Sequence, residues 1–331
     1  MTQNYTSQSL SIIIPTYNRR DQLLNQLNSI ISQDISAIQE ILILDNNSNY
    51  DVYDLVTTLK CSKIRVIKNS LNIKAPINIA NAFYHCKTQW FWLLSDDDES
   101  KPDSLTNIID EISQCSEDVG MIKFAIDRPE SKQKDTTVRT LQQYIDFYYD
   151  SSHLRRGDLV FISTNVYNVC RLKDYIPFAF EYSYTYIPHL IPIFKGLDEK
   201  KILVKFSSIP IVKYIPPRGD GYSFATVGKG LSTLSHIPLN LNKAYRKKFL
   251  DICMSITYTT LLKKYVRNDK IDDIDDIRII YDNVYKYYLS FHSKIKITLF
   301  LTLMSSPFLN KITMYMIKNK VTKYIIKGIL K

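Results

Sequence analysis

The first third of the chain alternates between unbroken apolar runs and helically spaced apolar positions. Residues 10–15, 41–44, 64–67 and 90–94 are short runs rich in Ile, Leu, Val and aromatics, the pattern of strands buried on both faces. After the first of them, Leu23, Leu24, Leu27, Ile30 and Ile31 recur at helical spacing over residues 21–32. Asn18 followed by Asp21 has the form of a capping box at the start of that helix. Further helices are expected over 76–86 and 102–112, and a strand over 119–125. This βαβα rhythm predicts an α/β fold, an open parallel-dominated sheet flanked by helices. In such sheets ligands bind beyond the carboxyl ends of the strands. Pro15, Thr16, Tyr17, Asp45 and Asp96 to Asp98 all stand at such ends and are expected to share one crevice.

Downstream the pattern loosens. Residues 126–138 are polar and read as a loop, 141–150 as a helix and 159–163 as a strand. From 174 to 190 the chain is dense in Tyr, Phe and Pro, which suits an aromatic-walled pocket. Arg218-Gly219-Asp220-Gly221-Tyr222-Ser223 reads as a loop able to close over a ligand. Beyond about residue 240 strand signals fade and helical patterns run on. The expected organisation is therefore one domain over 1–240, in two halves at 1–125 and 126–240. A helical, basic region at 241–331 follows it.

Charge refines this picture. The 331 residues carry a formal net charge of +10, yet residues 1–110 hold 9 Lys and Arg against 12 Asp and Glu. From Lys294 to Lys331 there are eight lysines and no acid. Lys318, Lys320, Lys323, Lys327 and Lys331 interleave with Ile317, Val321, Tyr324, Ile325 and Ile329, the make-up of an interfacial amphipathic helix. Each such lysine contributes about 1 kcal/mol near an anionic membrane surface. The polar N-terminal stretch lacks a signal peptide's basic and apolar segments. No apolar run reaches the ~18 residues of a spanning helix. Five scattered cysteines without metal-ligand spacing suit free thiols in a reducing compartment. A cytoplasmic protein, peripheral on the inner face of the plasma membrane, is the expectation. Nucleic acid is not an expected partner, because the basic pI of ≈ 9.1 comes with no recognition module.

The densest chemistry lies where Trp90-Phe91-Trp92-Leu93-Leu94 stops at Ser95-Asp96-Asp97-Asp98-Glu99. Several carboxylates at one sheet edge repel one another unless solvent, a raised pKa or a cation relieves them. A hard divalent ion uses one or two carboxylates plus substrate phosphates, so a metal–nucleotide site is expected there. Four segments in order over the first 110 residues resemble family 2 glycosyltransferases of the GT-A fold. They are Ser11-Ile12-Ile13-Ile14-Pro15-Thr16-Tyr17-Asn18-Arg19, Ile43-Leu44-Asp45-Asn46-Asn47-Ser48, Asn72-Ile73-Lys74-Ala75-Pro76-Ile77-Asn78, and the acidic segment with its downstream Pro102 and Leu105. The rest of the chain is more loosely similar to bacterial O-antigen abequosyltransferase-like enzymes.

The resemblance implies roles. Pro15, Thr16, Tyr17, Asn18 and Arg19 would cradle the donor nucleotide, with Tyr17 against the base or ribose. Asp45 would accept a hydrogen bond from the pyrimidine ring or a ribose hydroxyl, Asn72 would bind the donor nucleotide, and Lys74 would reach its diphosphate. Asp97 would be the main ligand of Mn2+ or Mg2+, with Asp96 on ribose or metal and Asp98 shaping the site; a register one residue away would pair Asp96 with Asp98. Lys74 stands where the family often has glycine, Ser95 where it often has an acid, and Tyr50 where an acid commonly follows the second-strand segment. The implied base is Glu181, whose usual acidic partner is Tyr182 here; His189 is the rival. The implied donor is a CDP-, UDP- or GDP-linked sugar, and the implied acceptor a lipid-linked oligosaccharide of surface polysaccharide, with inversion at the sugar. The altered acid pair keeps a second reading open, a non-catalytic nucleotide-sugar-binding or scaffold protein of a polysaccharide assembly complex.

Overall fold

Among the described residues nine strands form one mixed sheet. The computed structural model describes residues 6–128, 132–150, 156–213, 215, 224–267, 274–289 and 291–306. The first strands and helices are β1 (Thr6–Thr16), α1 (Arg20–Ile31), β2 (Ile38–Asp45), α2 (Val52–Thr57), β3 (Ile64–Lys68), α3 (Ala75–His85) and β4 (Thr88–Leu93). After them come β5 (Glu99–Ser100), α4 (Ser104–Ser113), β6 (Val119–Asp127), β7 (Thr136–Val138) and α5 (Leu141–Tyr149). The series continues with β8 (Asn165–Asn168), α6 (Val169–Leu172), α7 (Ile176–Glu181), α8 (Ile191–Asp198) and β9 (Leu203–Lys213). The strand order is β3-β2-β1-β4-β8-β6-β9-β5, with β7 also on β9.

The β3-β2-β1-β4 block is parallel throughout, as its continuous apolar strands require. Ile12, Ile14, Ile41, Ile43, Trp90 and Trp92 share a core cluster with Leu23, Leu27 and Ile30 of α1 and Leu105 and Ile108 of α4. The intervening Ile13, Phe91 and Leu93 are also fully buried. On that side Phe83 of α3 meets Phe91 edge-on at 5.1 Å. Both faces are thus covered, and only the strand ends are left for chemistry.

Several local expectations are corrected. The capping box does not form: Arg19 is the N-cap of α1 and gives no side-chain cap. Asn18 instead turns into a positive-φ conformation of 55° and its side chain accepts from Asn49 N at 2.8 Å. Residues 159–163 are not a strand but parts of 3-10 turns at Arg156–Val160 and Ile162–Thr164. The strand begins just after them, at Asn165, and lies antiparallel to β4 and β6. The polar 126–138 stretch contributes β7 and the end of β6. β9 is an eleven-residue strand whose Ser207-Ser208 interruption breaks the apolar run in the sequence.

The chain divides into two compact units, residues 1–218 and 219–331. The second is helical: α9 (Phe224–Ser232), α10 (Lys243–Arg267), α11 (Ile274–Ile280), α12 (Lys286–Tyr288) and α13 (Phe291–Ser305). Its helices start at Phe224, ahead of residue 241 where the sequence pattern turns helical. A Cβ at Gly228 of α9 would stand 3.0 Å from Thr257 Cγ2 of α10, so the two helices approach at that glycine. Tyr258 meets Phe300 edge-on at 5.4 Å, and Tyr281 Oη lies 2.8 Å from Thr298 Oγ1. No helix among the described residues is long and apolar enough to cross a membrane. The Arg218–Ser223 loop and the lysine-rich stretch from residue 307 onward lie outside the described residues.

Candidate active site

Three adjacent parallel strands, β2, β1 and β4, deliver their carboxyl ends to one edge of the sheet, and their terminal residues interlock. Thr16 Oγ1 donates to Asp96 Oδ2 at 2.7 Å. Arg19 Nη1 reaches Asp96 Oδ1 at 2.8 Å and Asp97 Oδ2 at 2.6 Å. Asn46 N donates to Thr16 O at 2.9 Å, extending the β1–β2 ladder one step beyond the strand. Pro15 is half-buried, Thr16 buried, and Tyr17 and Asn18 exposed on the rim.

The three aspartates have different fates. Asp96 is 3% exposed, and burial pushes its carboxyl up to about 6 against the opposing pull of Arg19 and Thr16. Asp97 keeps 27% of its side chain exposed and is steered by Ser95 Oγ, which donates to its Oδ1 at 2.5 Å. Asp98 Oδ2 accepts from Ser163 Oγ at 2.5 Å, and burial pushes its carboxyl up to about 7. Ser163 also accepts from Ser95 N at 3.0 Å, and its carbonyl takes Trp92 Nε1 at 2.8 Å. The 3-10 turn before β8 therefore clamps the acidic turn from below.

Asp45 is fully buried. Its Oδ1 accepts from Ser48 N at 2.9 Å, and its Oδ2 has no hydrogen-bond partner, with Lys68 Nζ 4.0 Å away. Beside it runs an amide network that sequence reasoning missed. Asn69 Nδ2 donates to Asn46 Oδ1 at 3.1 Å and Asn78 Oδ1 at 3.0 Å. Asn46 Nδ2 donates to Asn72 Oδ1 at 2.9 Å, and Asn78 Nδ2 to Leu44 O at 2.9 Å. One signal was present: Asn78 is a polar residue among the otherwise apolar buried positions of α3. The network fixes the loop that carries Asn72 and Lys74.

Lys74 is exposed and is the N-cap of α3 with φ 71° and ψ 153°, backbone territory that only glycine enters without strain. Such a residue costs roughly 1–3 kcal/mol, of which glycine's unfolded-state entropy would return about 0.5–1 kcal/mol. Lys74→Gly is expected to raise the unfolding free energy by about 1 kcal/mol, read from urea denaturation. A lowered midpoint would show that the lysine backbone is not strained.

Of the two candidate bases, Glu181 is exposed and ends α7 rather than starting a helix. The aromatic surroundings close over Tyr182, which is 9% exposed, and leave Glu181 open. His189 is 1% exposed, and burial together with Lys123 depresses its imidazole to about 3. It is a neutral interior group.

Among the described residues no group of three or more His, Cys, Asp or Glu side chains is placed to hold a metal ion. What the edge offers is a pair, Asp96 and Asp97, already bridged by the Arg19 guanidinium. A Mg2+- or Mn2+-type ion, which takes oxygen ligands and often only one or two carboxylates, would draw on this same pair in competition with the guanidinium.

Residues 11–167 match the family model described as Glycosyl transferase family 2. No curated protein matches the chain. Among solved structures, S. aureus TarS 1-349 in complex with UDP-GlcNAc is similar with TM-score 0.60 and 16% identity, over 83% of this chain and 81% of that chain. A second crystal structure of S. aureus TarS 1-349 gives TM-score 0.57 and 14% identity over the same shares. The longer S. aureus TarS structure gives TM-score 0.59 and 13% identity, and this chain covers 52% of it. At these identities the likeness is one of fold, a GT-A architecture with a central, mostly parallel sheet.

Proposed function

We propose that the chain, whose residues 11–167 match the Glycosyl transferase family 2 model, is a glycosyltransferase of that family that transfers a sugar from a nucleoside diphosphate sugar, with Mn2+ or Mg2+. The acceptor is a lipid-linked oligosaccharide of bacterial surface polysaccharide, and the donor a CDP-, UDP- or GDP-sugar, with a dideoxyhexose of abequosyl type as the specific candidate. One observation carries the reading: β2, β1 and β4 end side by side in Asp45, Thr16 and the Asp96–Asp97 pair. The UDP-GlcNAc of the similar TarS structure supports a nucleotide-sugar donor for this fold.

In this mechanism Tyr17 and Asp45 hold the nucleoside, while Asn72 positions the loop that brings Lys74 toward the diphosphate. Asp97 and Asp96 would hold the cation, which when bound would supply positive charge to offset that developing on the departing diphosphate. Arg19, displaced in part from Asp97, stays on Asp96 and keeps the buried carboxylate compensated. Asp98 stays on Ser163 and shapes the turn. Glu181 takes the proton of the acceptor hydroxyl as that oxygen attacks the anomeric carbon from the face opposite the leaving diphosphate, so the sugar inverts. A group in that role must reach the hydroxyl within hydrogen-bond distance, which suits an exposed carboxylate and excludes the enclosed His189. The basic C-terminal lysines place the enzyme on the inner membrane face, where the lipid-linked acceptor resides.

The test is thermal unfolding with CDP, UDP and GDP, each with and without Mn2+ or Mg2+. One nucleotide is expected to raise Tm by several degrees only when the cation is present, since ligand at 100 times Kd adds about 2.7 kcal/mol. No shift with any pair would remove the proposal.

A further inference from the structure

The helix α13 is apolar on two opposite sides. Ile297, Phe300 and Leu301 are buried, with Phe300 packed against Tyr258 of α10. Phe291, Ile295 and Leu299 recur at four-residue spacing and form a stripe on the other side. They are 80%, 52% and 40% exposed, and among the described residues no large apolar side chain is more exposed than Phe291. A contiguous apolar stripe left in water marks a surface that meets a partner.

We propose that this stripe docks α13 onto an anionic lipid bilayer, the helix lying in the plane of the membrane surface. Lys294 and Lys296 stand one residue to either side of Ile295, so each projects about 100° away from the stripe. From there a lysine keeps its stem in the apolar layer and carries its ammonium to the lipid phosphates. Neither α13 nor the chain after it carries an Asp or Glu. Thr298 and Thr302, exposed beside the stripe, have hydroxyls already bonded within the protein. Thr302 Oγ1 donates to Thr298 O at 2.8 Å, and Thr298 Oγ1 lies 2.8 Å from Tyr281 Oη, which donates to Lys294 O at 3.3 Å. Contact with lipid therefore strands no hydroxyl on this face. The 15 residues of α13 fall short of the ~20 that a spanning helix needs. A second copy paired about a two-fold axis, or the chain's own lysine-rich tail, would set like charges against Lys294 and Lys296, whereas an anionic surface complements them. The inference rests on the membrane placement proposed above and gives it a folded surface distinct from that tail.

The test is co-sedimentation of the full chain with vesicles of phosphatidylglycerol and phosphatidylcholine, and with phosphatidylcholine alone. Wild type is expected to bind the anionic vesicles, and the triple variant Phe291→Gln/Ile295→Gln/Leu299→Gln to bind them about tenfold more weakly or worse. Its Tm should stay close to that of wild type, because the three side chains are exposed. Added salt should weaken both proteins and preserve the gap between them, since screening acts on the lysines and not on the stripe. Ile295→Trp supplies a second readout, because both native tryptophans are buried in β4. Its emission should shift to the blue with anionic vesicles and be quenched by lipids brominated in their acyl chains; if the triple variant does not fold, this readout decides. Equal vesicle binding by wild type and the triple variant, or an unmoved Ile295→Trp emission on bound protein, would overturn this inference and leave attachment to the tail. A lipid-free wild-type dimer that the triple variant abolishes would assign the stripe to a second copy and overturn it too. Wild type that pellets with neither vesicle would remove the membrane placement and this inference together, leaving the nucleotide-sugar reading to its own test.

Discussion

Asp97→Ala is expected to lower turnover about 10³-fold, the loss of about 4 kcal/mol of transition-state stabilisation, while leaving the fold intact. The carboxylate is a quarter exposed and its ion pair with Arg19 is shared with Asp96, so its removal leaves Arg19 paired. It also relieves the repulsion that Asp97 exerts on Asp96. The stability change should stay within about 1 kcal/mol, the scale of a solvent-accessible pair. Asp97→Asn should fall nearly as far, because Ser95 can still bond the amide but the charge is gone. Release of nucleoside diphosphate from the donor, measured alongside Tm, separates the two effects. Unimpaired turnover of Asp97→Ala would mean that this carboxylate does not serve the cation.

The largest stability effect is expected at Lys123. This lysine of β6 is 1% exposed, and its Nζ donates to Phe161 O at 2.9 Å. Burial depresses the amine to about 7, partly countered by Asp158. The sign follows from the unfolded chain, in which the same amine stays protonated up to about 10.4. The contribution is full above that value and is lost as pH falls toward 7, where the folded protein also takes up the proton. The full span is on the order of 5 kcal/mol. Lys123→Met removes the titration and fills a similar volume. Phe161 O keeps Thr164 Oγ1 at 3.3 Å and Asn165 Nδ2 at 3.1 Å, so no acceptor is orphaned. The variant should gain roughly 1–4 kcal/mol at pH 7, with the advantage shrinking as pH rises toward 10. Urea unfolding of both proteins at pH 7, 8 and 9.5 checks this. A constant difference across that range would show that the amine is charged in the fold.

The site illustrates how far a sequence can be read. That an acidic turn closes a tryptophan-rich strand is visible from residues 90–99 alone, as is the strand ending at Asp45. What those residues cannot convey is which carboxylate is spoken for. Asp96 is bound by Thr16 and Arg19, eighty and seventy-seven positions away, and Asp98 by Ser163, sixty-five positions away. Ser163 itself reads as the end of a strand, yet its 3-10 turn is set by bonds to Ser95, Asp98 and Trp92. The Asn46–Asn69–Asn72–Asn78 network escaped for the same reason: each amide taken singly is an ordinary turn or helix residue.

By itself, then, the sequence determined the parallel core, because apolar periodicity records burial and burial on both faces demands helices above and below the strands. It also determined that acids and a turn-forming triplet gather at one edge, because parallel strands joined by helices all end on the same side. Only the tertiary structure decided that β8 enters antiparallel beside β4, that Asp96 is buried while Asp97 stays a quarter exposed, and that Lys123 and His189 are enclosed. Those outcomes depend on partners remote in the chain, and local pattern carries no information about which distant group will arrive to neutralise a charge or take a proton.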